Sequence, residues 1–186
     1  MEDGTLAVTL PNWQGTKPSG WYITNDGTGK LTSPMNGVPE EDLIQFLPMV
    51  RGKSHRGIHL VGNGFTDYGA DAVLGVYSWD VSGFTGIKFW ARTDTPACNY
   101  AVLLDDVNTS KEGGVCKTCF DGFLEKFKYT TEWKQYTVAF DVVHQEGWGI
   151  PQEQSLNSKA LWLIVFRALP NCSFDMWIDD IELYRD

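Results

Sequence analysis

The sequence has little positive charge and no long apolar segment. Its 186 residues include 15 lysines and arginines but 24 aspartates and glutamates, which gives a net charge of −9. A nucleic-acid partner requires clustered basic side chains against the phosphates, whereas the basic residues here are few and scattered. No apolar run approaches the roughly 20 residues that span a bilayer. The sequence therefore predicts no nucleic-acid partner and no membrane partner.

The sequence also lacks internal repeats and low-complexity linkers. At 186 residues it is long enough to bury a sizeable core, and we expect a single domain over residues 1–186, as a monomer. The first residues, Met1-Glu2-Asp3-Gly4, do not form a basic region followed by an apolar stretch. Two explanations are open: a signal peptide was removed and Met1 was added, or the chain is a fragment of a larger protein.

The four cysteines are an even number, which is compatible with full pairing. Cys116 and Cys119 form a C-x-x-C, which fits a redox pair, half of a zinc site or a local disulfide. A redox motif would need a βαβ context, which is absent, and a zinc site would need two more ligands nearby. Cys98 and Cys172 each precede an apolar strand and can bridge if those strands are neighbours. We expect two disulfides and a secreted, extracellular protein; the alternative is four buried thiols.

Strand signals, and not helical ones, dominate the sequence. Short apolar segments alternate with clusters of Gly, Pro, Asn, Asp and Ser, and helical periodicity is weak except at Glu40–Phe46. Nine short strands in one domain predict an all-β fold, a two-sheet antiparallel β-sandwich of the jelly-roll type. The predicted strands are Trp21–Asn25, Gly57–Val61, Val73–Trp79, Gly86–Arg92, Tyr100–Asp105, Phe127–Thr130, Gln135–Asp141, Leu161–Arg167 and Phe174–Tyr184.

Alternation with a period of two assigns the faces of the predicted strands. In Gly86–Arg92 the odd-numbered apolar residues face the core, and Trp90 lies among charged neighbours on the outer face. In Phe174–Tyr184 the apolar residues change parity after Asp179 and Asp180, which predicts a bulge or a bound cation at that point.

The segment Ala160–Arg167 is apolar on both faces. Its odd-numbered positions make one apolar face, and its even-numbered positions, which include Trp162, make the other. Such a strand is either buried on both sides or lines a binding surface. Trp162 therefore either packs beneath a loop or contacts a ligand.

Aromatic residues are more numerous than the core of a β-sandwich requires. The chain has 8 tryptophans, 7 tyrosines and 10 phenylalanines. Surplus flat rings on a sheet face suit the apolar C–H face of a sugar, while planar polar groups bind its hydroxyls. The composition therefore favours a carbohydrate-binding domain.

Five aromatic residues are candidates for ligand contact, including Trp162. Tyr68 and Trp148 lie in loops flanked by glycine, which can hold a ring outward; each ring can equally cap a sandwich edge. Tyr22 follows Trp21, so their rings point to opposite faces, one to the core and one outward. Trp79 ends a strand and fits either environment.

Four polar residues are candidates for contacts with sugar hydroxyls. Asp105 has the parity that points away from the core, and Arg167 ends an apolar strand. Gln145 and His144 precede the loop that carries Trp148. Each of the four can instead be simply solvated.

Six segments along the chain occur in a recognisable order. The segments are Glu2-Asp3-Gly4, residues 64–70 (GFTDYGA), 86–91 (GIKFWA), 131–138 (TEWKQYTV), 145–149 (QEGWG) and 177–181 (WIDDI). Together they resemble the jelly-roll carbohydrate-binding modules of bacterial plant-cell-wall hydrolases, and most closely the family 11-like β-glucan binders. The Cys116–Cys119 insertion departs from the simplest members.

The resemblance implies how such a protein works. A β-glucan chain would lie across a concave sheet, held by aromatic platforms at the positions of Tyr68 and Trp148, and an attached glycoside hydrolase would be kept near plant cell walls. It also implies a structural calcium ion that joins the N-terminal segment to the last strand. Glu2 and Asp179 match the usual positions, and Asp3 offers a further oxygen ligand.

Two other functions remain open. A small jelly-roll glycoside hydrolase or polysaccharide lyase would need two carboxylates flanking the cleaved bond, and no such pair is evident in the sequence. No nucleophile-elbow motif occurs either. An adhesive domain could bind a protein through the same aromatic surface. We expect that the chain is not an enzyme.

Overall fold

Eleven β-strands and a short 3-10 helix make up the regular structure of residues 20–33, 46–51 and 54–185, which the computed structural model describes. No helix within these ranges is long and apolar enough to cross a membrane. The 3-10 helix is Lys111–Gly113. The strands are β1 Gly20–Asn25, β2 Lys30–Ser33, β3 Phe46–Arg51, β4 Ser54–Asn63, β5 Ala70–Trp79, β6 Gly86–Thr93, β7 Tyr100–Asp106, β8 Phe123–Phe127, β9 Lys134–Ala139, β10 Leu161–Ala168 and β11 Phe174–Tyr184.

The strands form two antiparallel sheets. The first sheet has the order β1-β5-β10-β7-β8. The second has the order β2-β4-β11-β6-β9, and β3 pairs with the N-terminal half of β4. Within the described residues, every strand pair of both sheets is antiparallel. The predicted fold, an all-β sandwich of two antiparallel sheets, is confirmed.

The core lies between the two sheets and is built by alternation along the strands. In β6, Ile87, Phe89 and Ala91 are buried, while Lys88 and Trp90 are half-exposed, as their spacing predicts. Aromatic rings supply much of the core volume because each buries a large apolar surface. The largest buried aromatic side chains are Tyr100, Tyr129, Phe65, Phe89, Phe123, Phe166 and Phe174.

The parity change in β11 is a bulge. The register between β11 and β6 shifts between Asp179 and Glu182, and Asp180 has a φ of 43°. The positive φ lets the strand skip one position, so that Ile181 and Leu183 pack against the core.

Three elements differ from the sequence-based prediction. Strand β8 is Phe123–Phe127, so the prediction of a strand over Phe127–Thr130 was wrong. Strands β2 and β3 had no predicted counterpart. The helical turn predicted at Glu40–Phe46 falls on residues outside the described ranges, except for Phe46, which begins β3.

Both expected disulfides are present. Cys98 pairs with Cys172, and Cys116 pairs with Cys119. The first bridge joins the β6–β7 loop to the β10–β11 loop. The strands that follow its two cysteines, β7 and β11, lie in different sheets, so the bridge ties the two layers together and does not link neighbouring strands.

Candidate functional site

The outer face of the first sheet is apolar at its centre. In strands β5, β7 and β10, one set of alternate residues points into the core and the other set points away from it. Together with Leu124 of β8, the outward set forms a separate buried cluster of Val73, Ala101, Leu103, Leu163 and Val165. Partly buried side chains pack against this cluster, Tyr22 and Trp162 among them. A strand that is apolar on both faces is either covered on both sides or lines a binding surface.

A cleft of about 490 Å³ opens over this face. Strands of the first sheet form its floor, and the β4–β5, β7–β8 and β9–β10 loops contribute side chains around it. The residues that line the cleft are Tyr22, Thr24, Tyr68, Asp71, Val73, Asp105, Glu112, Cys119, Phe120, Trp148, Leu163, Val165 and Arg167.

An ion pair between Asp71 and Arg167 lies in the floor of the cleft. The two residues face each other across β5 and β10. Arg167 Nε donates to Asp71 Oδ1 at 2.7 Å, and Arg167 Nη2 donates to Asp71 Oδ2 at 2.8 Å. Thr24 Oγ1 on β1 donates to Oδ2 at 3.3 Å. This bidentate arrangement fixes both planar groups relative to each other.

Burial and charge act in opposite directions on this pair. Burial raises the pKa of Asp71, and the hydrogen bonds and charge of Arg167 oppose that rise. Burial lowers the pKa of Arg167, but the bonds and charge of Asp71 outweigh it, so the guanidinium keeps its proton. Each charge therefore stabilises the ionised form of its partner.

Tyr68 lies over this ion pair. The Arg167 guanidinium carbon is 4.8 Å from the centre of the Tyr68 ring, which is a cation–π contact. The β4–β5 loop that carries Tyr68 is held by Asp26, whose Oδ2 accepts from the backbone N–H of Asp67 and of Gly69 at 3.0 and 2.9 Å. The ring therefore has a fixed position at one end of the cleft.

A buried carboxylate shapes the loop that presents Trp148. Asp121 is 2% exposed, and its side chain accepts from the backbone N–H of Glu146, Gly147 and Gly149 at 3.0, 3.0 and 2.8 Å. Because these three bonds fold the backbone around Asp121, the intervening Trp148 side chain points outward and is 52% exposed. Asp121 is thus a positioning residue for the ring.

The short-range disulfide lies beside the same loop. Cys119 and the next residue, Phe120, both line the cleft. Phe120 has a φ of 73° and is 43% exposed, so the chain turns its ring outward and not into the core. The backbone of Thr118 pairs with that of Ile150, which joins the disulfide loop to the Trp148 loop. Two large apolar rings, Phe120 and Trp148, thus line the same cleft from sequence-distant loops.

Asp105 is the most unusual polar group of the cleft. It is 3% exposed, and its Oδ1 has no hydrogen-bond partner among the described residues. Burial raises the pKa of Asp105 to about 7, against the lowering effects of a hydrogen bond with Thr109 and of the Arg167 charge. A desolvated carboxyl without a full set of partners favours its neutral form.

Five of the predicted ligand-contact residues come together in this cleft. They are Tyr22, Tyr68, Asp105, Trp148 and Arg167. The expectation for the first strand also holds, because Trp21 is buried in the core and Tyr22 lies on the outer face. Asp105 lies on the predicted face, although it is buried and not solvated.

The other three predicted ligand contacts, Trp79, Gln145 and Trp162, do not line the cleft. Trp79 is 7% exposed and belongs to the core. The Gln145 amide is used within its own loop: its nitrogen donates to the Asp121 and Pro151 carbonyls, and its oxygen accepts from the Glu153 N–H.

Trp162 is placed differently from the predicted alternation. The register of β10 shifts between Leu161 and Leu163, so Trp162 packs against the outer apolar cluster and not into the core with Ile164. Its ring meets Tyr77 edge to face at a centroid distance of 5.9 Å. It supports the sheet face without lining the cleft. His144, a further polar candidate, is exposed and lies outside the cleft lining.

Asp71 and Phe120 are the main site residues that the sequence did not reveal. Asp71 continues the parity of Val73 at the start of β5, so placing the start of the strand two residues earlier would have found it. Phe120 carries no comparable signal, since its outward position depends on a positive φ in an irregular loop.

Of the three predicted calcium ligands, only Asp179 lies among the described residues. Asp179 Oδ2 accepts from Arg51 Nε at 2.8 Å, and its Oδ1 accepts from the Asp180 N–H at 2.8 Å. Arg51 also pairs with Asp180. No group of three or more potential metal-ligating side chains occurs in the described part of the chain. Glu2 and Asp3 lie outside it, so a calcium ion on them stays a prediction.

Comparison with known proteins places the fold. No protein-family model matches the sequence, and a comparison with curated protein sequences finds no match. Solved structures do match. The family 11 carbohydrate-binding module of a cellulosomal cellulase of Clostridium thermocellum is 16% identical, with a TM-score of 0.62 over 98% of this chain and 96% of that one. The fold is that of a carbohydrate-binding module.

Two further solved structures are similar over most of both chains. A family 11 module from Clostridium thermocellum, solved in complex with a β-1,3-1,4-mixed-linked tetrasaccharide, is 17% identical with a TM-score of 0.61, over 95% of this chain and 94% of that one. A family 30 module of a Clostridium thermocellum cellulosomal cellulase is 12% identical with a TM-score of 0.54, over 86% and 92%. The resemblance inferred from the sequence is confirmed for the fold.

Proposed function

We propose that the chain is a non-catalytic carbohydrate-binding module whose cleft holds a β-glucan chain of the cellulose, mixed-linkage or xyloglucan type. The observation that carries this proposal is the combination of an apolar floor, exposed aromatic rings and a planar ion pair in one cleft. A pyranose ring likewise has separate apolar and polar surfaces, because its faces present C–H groups and its edges present hydroxyls.

Each part of the cleft has a matching part of the sugar. Trp148 and Phe120 offer flat apolar surfaces that are already exposed, so no core packing is lost when a sugar stacks on them. The Asp71 carboxylate accepts from hydroxyls and the Arg167 guanidinium donates to them. Because their mutual bonds hold both groups in place before binding, little side-chain entropy is lost on binding.

The comparisons support this ligand class. A module with the same fold was solved with a mixed-linkage tetrasaccharide. Another belongs to a cellulosomal cellulase. By analogy, the chain would be a monomeric module covalently linked to a glycoside hydrolase that it keeps near plant cell walls. Its two disulfides are in keeping with an extracellular location, where such bonds persist.

Affinity electrophoresis tests the proposal. In gels containing mixed-linkage β-glucan, xyloglucan or mannan, the wild-type chain should be retarded by at least one β-glucan. Trp148→Ala should weaken the binding roughly tenfold or more, because the exposed ring is a large part of the stacking surface.

Trp133→Ala is the matched control. Trp133 lies next to β9 of the second sheet, away from the cleft, so its removal should leave retardation unchanged. Unchanged retardation of Trp148→Ala would show that the cleft is not the glycan site. Absence of retardation on every polysaccharide would contradict the function itself and favour a protein-binding domain.

A small glycoside hydrolase is the second candidate, favoured by one observation. Two buried carboxyl groups, Asp71 and Asp105, line the same cleft, and Asp105 has the raised pKa that a general acid needs. Against this, both Asp71 oxygens already accept bonds from Arg167. A reducing-sugar assay on the retarding glucan separates the two: new reducing ends that disappear in Asp105→Asn would establish the hydrolase.

A further inference from the structure

We propose that the cleft prefers glycans whose sugar rings carry a protonated amine over their uncharged counterparts, and that the Asp105 carboxylate makes this selection. The inference rests on the proposed function, since it concerns which sugar the same cleft binds.

The Asp105 carboxyl is buried in the wall of the cleft and is incompletely hydrogen-bonded. It lines the cleft from β7, is 3% exposed, and has a shielded Oδ1 without a hydrogen-bond partner among the described residues. An ionised carboxylate in such a place is costly unless a cation or several donors compensate it. A cationic ligand group next to Asp105 would remove that cost, whereas a single hydroxyl would remove only part of it.

The charged side chains around Asp105 are negative, apart from the Arg167 guanidinium, which is already paired with Asp71. The charged residues that line the cleft are Asp71, Asp105, Glu112 and Arg167. Arg167 is held by both oxygens of Asp71. Asp106 adds a further negative charge next to Asp105. A positive ligand is therefore attracted, and a ligand with carboxylate or sulfate groups is repelled.

An organic ammonium fits this arrangement better than a metal ion does. The described residues contain no group of three potential metal-ligating side chains. An ammonium group needs fewer fixed oxygens, since it donates up to three hydrogen bonds and forms charge-assisted ones with a carboxylate. An amino sugar also brings the apolar ring face that Trp148 and Phe120 can stack on.

Calorimetric titration of matched oligosaccharides tests the inference. β-1,4-linked tetrasaccharides of glucosamine and of glucose differ only by an amine in place of one hydroxyl on each ring. At about pH 7 the glucosamine form should bind roughly tenfold tighter. Asp105→Asn should reduce this ratio to about one. Glu182→Gln removes one carboxylate from the second sheet, outside the cleft, and should leave the ratio unchanged.

A proton measurement on the wild-type chain does not depend on any variant folding. At about pH 5.5 the sugar amines and the Asp105 carboxyl both carry protons before binding. Because an ammonium group favours the ionised form of Asp105, binding of the glucosamine tetrasaccharide at this pH should release a proton, seen as a buffer-dependent enthalpy. Equal affinities for the two tetrasaccharides, or a preference that survives Asp105→Asn, would overturn the inference while the proposed function stands. Failure of both to bind, together with absence of retardation by glucans, would refute the proposed function.

Discussion

Arg167→Ala should lower the free energy of unfolding by about 3–5 kcal/mol. The substitution leaves the Asp71 carboxylate, only 3% exposed, without the guanidinium that binds both of its oxygens. It also removes the cation beneath the Tyr68 ring. Chemical denaturation near neutral pH measures the change, and affinity electrophoresis of the same variant should show that β-glucan binding is lost.

Two companion variants separate charge from geometry. Arg167→Lys keeps the positive charge but not the paired hydrogen bonds, so its loss of stability should be smaller. The double variant that combines Arg167→Ala with Asp71→Asn has no uncompensated carboxylate. It should therefore be more stable than Arg167→Ala alone. A loss below about 1 kcal/mol for Arg167→Ala would mean that the pair is solvated and not a buried floor.

Asp105→Asn should make the protein more stable above neutral pH. Burial raises the pKa of Asp105 from its ordinary value of 3.8 to about 7. Between these pH values the folded state keeps a proton that the unfolded state releases, so this carboxyl lowers the free energy of unfolding as the pH rises. The full effect corresponds to at most about 4 kcal/mol and is complete above about pH 8.

Unfolding curves recorded from about pH 4 to about pH 8 test this sign. Asparagine has nearly the shape of a protonated aspartate, so the variant and the wild type should be similarly stable at the acid end and diverge as the pH rises. The difference between the two proteins isolates Asp105, because every other titrating group is common to both. A stability difference that stays constant across this range would contradict the raised pKa.

Alternation along single strands was enough to predict the two sheets and much of the core. The parity of β6 located its buried residues, and the parity change in β11 located the bulge at Asp179. These features depend on the period-two geometry of one strand and its neighbours, which the sequence displays directly. Strands β2 and β3 escaped prediction. β2 has only four residues, and β3 contains Pro48, which argues against a strand.

The site was less predictable because much of its geometry arises between distant segments. Tyr68 and Trp148 were found from their glycine-flanked loops. The role of Asp121 was not, since it binds backbone N–H groups 25 to 28 positions further along the chain. Trp162 was assigned to the wrong face because a register shift in β10 interrupts the alternation. Local patterns therefore locate exposed rings, while bulges and loop-to-loop hydrogen bonds decide which of them line the cleft.

A 15N NMR titration with a mixed-linkage β-glucan tetrasaccharide tests the central claim most directly. The signals of the Trp148 indole N–H, the Phe120 amide and the Arg167 Nε–H should move, while those of Trp133 and Trp177 near the second sheet should stay in place. The largest changes on the second sheet, or no change up to about 1 mM ligand, would contradict the account.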